Sequence, residues 1–590
     1  MTRAAGAAGR ETRGDLIALP LVVAVTGHRD LVATEIPTIR QQVRSFFREL
    51  QARHGERSLR VMTALAEGAD RLVAEEAVAL GLELVVPVPM PRGDYAADFR
   101  DQSSAAEFER LASRAAEVFE LPLAPGVTAA ALPGSADARA RQYAQLGVFL
   151  CAHCHILLAL WDGKPSSELG GTGQVVRFHH DDVMPGYTTA SVASQRMLVD
   201  DESDLVYHIV CSRSGAGGAP HPDLRPLDWW WFTKDPDCPR SKELPAQHRL
   251  IFRRSAEFSR DWLRYARRIE DGKYPLLDPA DRRWLPPGIE AIDRLFGIAD
   301  WLAIHYRKRT LASLGATHAL AFLMGLMFIL YSDLATWRVF LLAFLLFFAL
   351  AAGVQFVARR RGWYRKYLDY RALAEGLRVQ FYWAAAGVTN DSHAKFAHDN
   401  FLQAQDPELG WIRNVMRVAG LRCDAAPARE AEGIRFAAEE WIGSRDAAQL
   451  GYFRQKVLER IRRSARTERL AIASLLASVA GVALLFFTGA AMPPLLHDPL
   501  IVLMGTTLLL FGIRRGYAHS TAEKELINQY EFMLRIFDNA RRRMESADDP
   551  DEQRRILKAV GDAALDEHAE WILLHRDRAI DQGKIWRMGG

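Results

Sequence analysis

The stretch His155–Arg177, HILLALWDGKPSSELGGTGQVVR, decides the reading of the fold. Ile156–Trp161 is a continuous apolar run, the mark of a strand buried on both faces. Asp162-Gly163 closes it with a turn, and a serine-containing loop leads to Gly170-Gly171-Thr172-Gly173 and then to a helix. A buried strand running through a glycine loop into a helix suits an anionic ligand. Glycine lets backbone come close, and the first N–H groups of a helix lack internal acceptors. Taken alone, the glycine cluster reads equally well as a tight turn.

The pattern repeats upstream. Leu19–Thr26 (LPLVVAVT) is a second buried strand, ending at Gly27-His28-Arg29-Asp30. Ile36, Ile39, Val43, Phe46, Phe47 and Leu50 then recur at helical spacing, with Pro37 suited to a first turn. Leu59–Leu65, Leu82–Val88 and Asp204–Cys211 read as further strands. Gly68–Leu80, Ala105–Phe119 and Ala136–Cys151 read as helices. Such alternation implies βαβ crossovers, a parallel Rossmann-like sheet, and ligands at the carboxyl ends of its strands.

Three of those ends carry glycine and polar residues: Thr26–Asp30, Thr63–Asp70 and Asp162–Gly173. By position, Gly27 and Gly68 let backbone approach a ligand, and Arg29 and Arg177 offer guanidinium groups to phosphate. Asp70, Asp162 or Glu67 would accept ribose hydroxyls, and Thr63 belongs to the same candidate set. His28 would stack or hydrogen-bond, with no partner identifiable for a general-base role. For each charged residue, a helix cap or a solvated ion pair is the competing reading.

These residues carry a family resemblance. TALAEGADRLVAEEAVALG (Thr63–Gly81) resembles the strand–loop–helix of the DprA/SMF proteins, and GGTG before a helix is similar to the phosphate loop of the LOG phosphoribohydrolases. Both belong to the SLOG superfamily of nucleotide-binding, Rossmann-like domains. TGHRD and VVPVPMPRGDYAADF (Val85–Phe99) resemble the SLOG type found as a bacterial signal sensor. The resemblance covers about residues 19–212 and implies a nucleotide-derived ligand, a cyclic nucleotide or an ADP-ribose derivative, with no other cofactor required. LOG enzymes carry GGxGTxxE, whose glutamate is catalytic. Laid onto Gly170, Gly171, Thr172 and Gly173, that pattern puts Gln174 in place of its threonine and Arg177 in place of its glutamate. A cation cannot stabilise the positive charge that develops there, so the departure favours a sensor over a hydrolase.

Composition sets outer bounds. The chain has 590 residues, enough for several domains, and a formal charge of +3, too small to argue for nucleic acid. Its five cysteines (Cys151, Cys154, Cys211, Cys238 and Cys423) show no dense spacing, so a disulfide framework is not expected. Cys151-Ala152-His153-Cys154-His155 lacks a second pair of ligands and reads as buried thiols rather than as a zinc site. MTRAAGAAGRETRGD contains no apolar segment of the kind a signal peptide needs.

Residues 213–288 read as a linker and helical connector. Ser212–His221 is glycine-rich, and Asp228-Trp229-Trp230-Trp231-Phe232 could serve as a membrane-surface anchor, a subunit contact or a plug on the sheet edge; packing is favoured. Beyond them lie four apolar runs, at 310–331, 337–358, 471–490 and, shorter, about 498–513, arranged as two hairpins that would form four transmembrane helices. Arg307, Lys308 and Arg309 precede the first run, and Arg359, Arg360 and Arg361 follow the second. Arg460, Arg462, Arg463, Arg466 and Arg469 precede the third, and Arg514 and Arg515 follow the fourth. The positive-inside rule then puts both termini in the cytoplasm.

The two hairpins echo one another. RRGWYRKY (Arg360–Tyr367) is matched by RRGYAHST (Arg514–Thr521), and Glu440-Trp441-Ile442 by Glu570-Trp571-Ile572. RALAEGLR (Arg371–Arg378) and GDAALDEHAEWILLHRDR (Gly561–Arg578) resemble SLATT domains, two-helix membrane effectors associated with SLOG sensors. The expected architecture is thus an α/β domain at 19–212, a first SLATT-like unit at 289–445 and a second at 446–580. The resemblance implies a multi-pass protein of the bacterial inner membrane, a homo-oligomer gated by a nucleotide that another enzyme makes. It further implies a pore-forming or membrane-disrupting role in antiviral defence by abortive infection. The alternative is a membrane-tethered nucleotide hydrolase.

Overall fold

Eight strands form one sheet in the computed structural model, which describes residues 19–166, 168–188, 204–215, 218–234, 239–277, 285–334, 336–388, 401–402, 407–426, 431–443, 448–488, 492–521 and 523–581. The strands are β1 (Leu21–Gly27), β2 (Leu59–Met62), β3 (Glu83–Val88), β4 (Glu117–Glu120), β5 (Ile156–Trp161), β6 (Val206–Val210), β7 (Trp229–Phe232) and β8 (Arg240–Ser241). They lie in the order β4-β3-β2-β1-β5-β6-β7-β8. All neighbours from β4 to β6 are parallel; β7 and β8 add antiparallel at one edge. The crossovers carry α1 (Ile36–Arg53), α2 (Ala69–Ala79), α3 (Arg92–Ala96), α4 (Gln102–Ala112), α5 (Ala136–Ala152) and α6 (Thr172–Asp181). The chain builds outward from β1 on one side and then restarts at β5 on the other. The strand order therefore reverses between β1 and β5.

Local chemistry explains the elements. β5 is apolar along its whole length, and β1 up to Thr26, because helices cover both faces of a parallel sheet. α1 buries Ile39, Val43, Phe46, Phe47 and Leu50 as one stripe. Asp101 caps α4 by accepting from the Ser104 N–H at 2.9 Å, and Ser135 caps α5 through the Ala138 N–H at 3.2 Å.

One sequence expectation changes. The helix expected at Ala105–Phe119 is α4 followed by the edge strand β4, whose sequence Glu-Val-Phe-Glu is too short and too charged to stand out as a strand. The aromatic run forms β7, between β6 and the short edge strand β8, with Trp231 packed 4.9 Å from Tyr207 and 6.0 Å from Phe46, the packing favoured from the sequence.

The chain divides into two compact units that do not follow chain order. One is Met1–Ile298 with Gly376–Glu430; the other is Ala299–Glu375 with Ala431–Gly590. Besides the sheet, the first unit holds α7 (Ala246–Gly272) and α11 (Gly410–Ala425). The dividing points fall inside α8 (Ile289–Asp333) and α10 (Trp363–Ala386). The sequence expectation put α11 with the membrane helices, whereas it packs on the sheet. Leu421 and Ala425 join the core that contains Val22 and Leu157. Arg417 on α11 bonds Asp204, just before β6, at 3.0 Å, and both side chains are fully buried.

The second unit contains the remaining part of α8, α9 (Arg338–Arg360), α12 (Ala431–Phe436), a π-helical turn at Ala437–Ile442, α13 (Gln449–Thr488), α14 (Pro494–Ser520), α15 (Glu523–Ser546) and α16 (Pro550–Asp581). Four helices, α8, α9, α13 and α14, hold stretches long and apolar enough to cross a membrane. Their outward side chains are strongly exposed, Phe486 and Phe487 by 81% and 80%. The fourth run, short by sequence, is part of a continuous 27-residue helix that contains Pro499 near its start. The last two residues expected in the third run, 489 and 490, lie outside the described residues.

α8 and α14 pack antiparallel through glycine. A Cβ on Gly325 would lie 2.7 Å from Leu509 Cδ2, one on Gly505 3.3 Å from Ile329 Cδ1, and one on Gly516 3.9 Å from His318 Nε2. The contacts keep one register along both helices, the close approach small residues permit. The two sequence echoes also interlock: Trp441 meets Phe537 of α15 at 6.1 Å, and Trp571 of α16 meets Tyr367 of α10 at 5.9 Å.

A half-buried carboxyl group gives this unit a pH dependence. Burial, with Glu375 nearby, pushes Glu567 of α16 up to about 8, although Arg371 opposes the shift. Between the ordinary glutamate range and pH 8 the unfolded chain has released this proton while the folded chain still holds it. Stability should therefore fall as pH rises through that window. Glu567→Gln should raise the melting temperature of the detergent-solubilised chain at pH 8 and leave it unchanged near pH 4. An equal shift at both values would remove Glu567 as the cause.

Candidate ligand site

A cavity of about 540 Å³ opens at the carboxyl ends of β1 and β5, where the strand order reverses. Open α/β sheets bind ligands at this place because the loops on either side part there. The Gly27–Asp30 loop, the start of α2, one face of α5 and the Asp162–Gly173 loop line it.

Backbone hydrogen bonds lock these loops together. The His28 N–H donates to Leu160 O at 3.1 Å, and the Ala69 N–H donates to His28 O at 3.1 Å. Gly68 has φ +80°, and a Cβ there would lie 2.3 Å from Arg29 O, so no side chain fits. Gly170 also has a positive φ, +76°, and a Cβ there would meet the α5 backbone at 2.8 Å. Much of the glycine pattern thus serves loop-against-helix packing.

α6 begins at Thr172 with its N-terminus on the cavity. Gly171 O accepts the Gln174 and Val175 N–H groups, while those of Thr172 and Gly173 have no intramolecular acceptor among the described residues. Arg29 lines the same cavity and is exposed, its guanidinium carbon 5.2 Å over the Tyr143 ring. Among the described residues no carboxylate lies within ion-pair distance of it. Tyr143 is fixed by donating to Asp98, which pairs with Arg139 at 2.7 Å. A cation held on an aromatic face near two unused N–H donors is complementary to a phosphate-sized anion.

The acidic and imidazole groups are specialised. Asp70 is buried at the cavity wall, where its carboxylate accepts from Thr63 Oγ1 at 2.9 Å. Burial pushes Asp70 up to about 6 against the pull of that bond, the Ala66 N–H, Arg29 and Arg71. His28 Nε2 accepts the Asp162 N–H at 3.1 Å and lies 3.2 Å from Asp162 Oδ1. Burial lowers the His28 pKa, with Asp162 working in the other direction, so the imidazole is neutral at pH 7 and uses Nε2 as an acceptor.

Of the residues singled out in the sequence, Gly27, His28, Arg29, Asp70, Asp162, Gly170, Gly171, Thr172 and Gly173 line the cavity together. Thr63, Glu67, Gly68 and Arg177 do not. Thr63 stands behind Asp70, and Glu67 is held by the Ser104 hydroxyl and by the Arg100 N–H at 3.1 Å. Gly68 faces the Arg29 backbone. Arg177 points to solvent, 57% exposed, and sits 3.7 Å from Asp181. It lies five residues into α6, one turn and a half beyond the helix end and on another face. Arginine at this position therefore does not bear on the chemistry of the cavity.

Tyr95, Tyr143, Trp161, Lys164, Glu168 and Arg213 also line the cavity but were not singled out. Tyr95 and Trp161 lay inside stretches already of interest. Tyr143 sits on a helix face with no local signature, and Arg213 reaches the site through Asp30, at 3.0 Å, from a glycine-rich break.

The histidines of the Cys151–His155 cluster hold α11. His153 Nδ1 is 2.7 Å from Arg417 O, and His155 Nε2 is 3.1 Å from Asn414 O while its Nδ1 accepts the Val22 N–H at 2.9 Å. Cys151, Cys154, Cys211 and Cys423 are buried thiols that form no disulfide among the described residues; Cys238 lies outside them.

Fold and cavity together define a Rossmann-like α/β unit with a polar pocket at its switch point, in a chain with four helices able to span a membrane. Compared with protein-family models and with curated proteins, the chain matches none.

Proposed function

We propose that this is a nucleotide-responsive membrane protein, whose α/β unit binds a phosphate-bearing nucleotide derivative and whose helical unit changes membrane permeability in response. One observation carries the reading: the exposed Arg29 guanidinium and the free N–H groups at the start of α6 face one cavity at the β1/β5 switch point. Phosphate would sit between them, and Asp162 would face sugar hydroxyls. The four apolar helices supply the membrane arm. The arginine clusters that flank them favour cytoplasmic termini and the inner membrane of a bacterium. Four spans with short loops enclose little space, so conduction would require a homo-oligomer. The SLOG and SLATT resemblances add the expectation of a separate enzyme that makes the ligand and of a role in antiviral defence. Gating of this kind requires the ligand to bind one membrane state better than another.

A second reading, a membrane-tethered nucleotide hydrolase, is favoured by Asp70, a cavity carboxyl pushed up to about 6 that could hold or release a proton near neutrality. One experiment separates the two. The full chain in detergent is incubated with linear, cyclic and ADP-ribose-derived nucleotides, its melting is followed, and each compound is recovered for chromatography. The expected result is at least one compound that raises the melting temperature and returns intact. A compound returned cleaved would make the hydrolase the better reading, and no stabilisation by any of them would remove the nucleotide site. The full chain is required, because a fragment ending after β6 would lose β7 and α11 from the sheet.

A further inference from the structure

The charged surface beside the third apolar helix singles out a class of lipid. Arg462, Arg466 and Arg469 of α13 are spaced four and three residues apart, which puts them on one face of the helix. All three are exposed, and none has a carboxylate within ion-pair distance among the described residues. The same face continues as Ile472, Leu476 and Val479, exposed by 49%, 62% and 55%. One stripe thus passes from three unpaired guanidinium groups directly into apolar side chains that face outward. The arginines extend over about 10 Å of helix axis, of the order of a headgroup layer. A free phosphate would match only the upper part of the stripe. A phospholipid with a net negative headgroup and acyl chains beneath it matches the whole.

We propose that this face of α13 binds anionic phospholipid, with Arg462, Arg466 and Arg469 on the headgroup phosphates and Ile472, Leu476 and Val479 against the acyl chains. The inference rests on α13 being a membrane span and adds a lipid class to it. Arg359, Arg360 and Arg361, exposed at the end of α9, carry the same type of charge on the other hairpin. Each guanidinium at a headgroup layer adds about fivefold in affinity, so the three together should favour anionic lipid by about a hundredfold.

The test uses the full chain purified in detergent and exchanged into mixed micelles of phosphatidylcholine and phosphatidylglycerol. Lipid retained after a second exchange into lipid-free detergent is quantified. The expected result is strong enrichment of phosphatidylglycerol, weakened at high salt, reduced in R462Q/R466Q/R469Q and preserved in the triple lysine variant. Excess inorganic phosphate should not displace the lipid; displacement by phosphate would show a free-anion site and overturn the lipid assignment. Equal retention of the two lipids by the unmodified chain would also overturn it, whatever the variants do. Flotation with pure phosphatidylcholine vesicles reads the underlying premise separately. A chain that floats without enriching phosphatidylglycerol keeps its membrane role and loses this proposal, whereas a chain that does not float loses both.

Discussion

Arg417→Met should destabilise the chain by about 3–5 kcal/mol, the cost typical of removing one partner from a fully buried ion pair. Arg417 Nη2 is 3.0 Å from Asp204 Oδ1, and neither side chain has any exposed area. Methionine fills a similar volume but removes the guanidinium that faces the fully buried Asp204 carboxylate. The double variant D204N/R417M removes the buried negative charge as well and should recover most of the loss, since neutral replacements of buried pairs are often tolerated. Chemical denaturation of the three proteins, followed by the fluorescence of Trp411 and its neighbours, gives the comparison. A single variant within about 0.5 kcal/mol of the parent would mean that the pair does not fasten α11 to the sheet. The expected size is large because the pair is fully buried; α11 is also tied to the α/β unit by His153, by His155 and by Arg422, which pairs with Glu117 of β4.

Under the proposed nucleotide reading, Arg29→Glu should weaken ligand binding by roughly ten- to a hundredfold or more, since a hydrogen bond to a charged group is worth about 1.5–3 kcal/mol and the substitution adds repulsion. Folding should be little affected. Arg29 is exposed, rests on Tyr143 and has no carboxylate partner among the described residues. Arg177→Glu is the matched control. It makes the same change of charge on a residue that faces solvent beside Asp181, and it should leave binding within about twofold of the parent. The measurement is the ligand-induced shift in melting temperature across a concentration series, using whichever nucleotide stabilises the unmodified chain. If the Arg177 variant lost binding and the Arg29 variant kept it, the phosphate would have to sit outside this cavity.

The contrast between these two arginines shows where one-dimensional reading stops. Both stand near glycine loops at strand ends, and spacing gives them equal claims. Only the α6 backbone turns Arg177 to solvent, and only α5, arriving from elsewhere in the chain, supplies the Tyr143 face that holds Arg29. Glu67 and Asp70 divide in the same way. Each follows β2 by a few residues, yet Ser104 and Arg100 take Glu67 while Thr63 holds Asp70 at the cavity wall.

Much of the architecture was legible without coordinates. Buried parallel strands form continuous apolar runs, so β1 and β5 announce themselves, and a helix able to cross a bilayer must be apolar for about twenty residues. These are local requirements, and local sequence satisfies them. The edge strand Glu117–Glu120 is half solvated and carries no such requirement, so composition did not mark it. The place of α11 was beyond reach for a different reason. Its contacts with Asp204, His153 and His155 join residues more than 200 positions apart, and helical spacing states which face is buried without stating against what. The sequence by itself determined the α/β sheet, its strand-end loops and the four apolar helices, because each follows from the burial pattern of a short segment. The tertiary structure alone decided which loop residues share the cavity and which unit claims the segment between the hairpins, because both depend on surfaces brought together from distant parts of the chain.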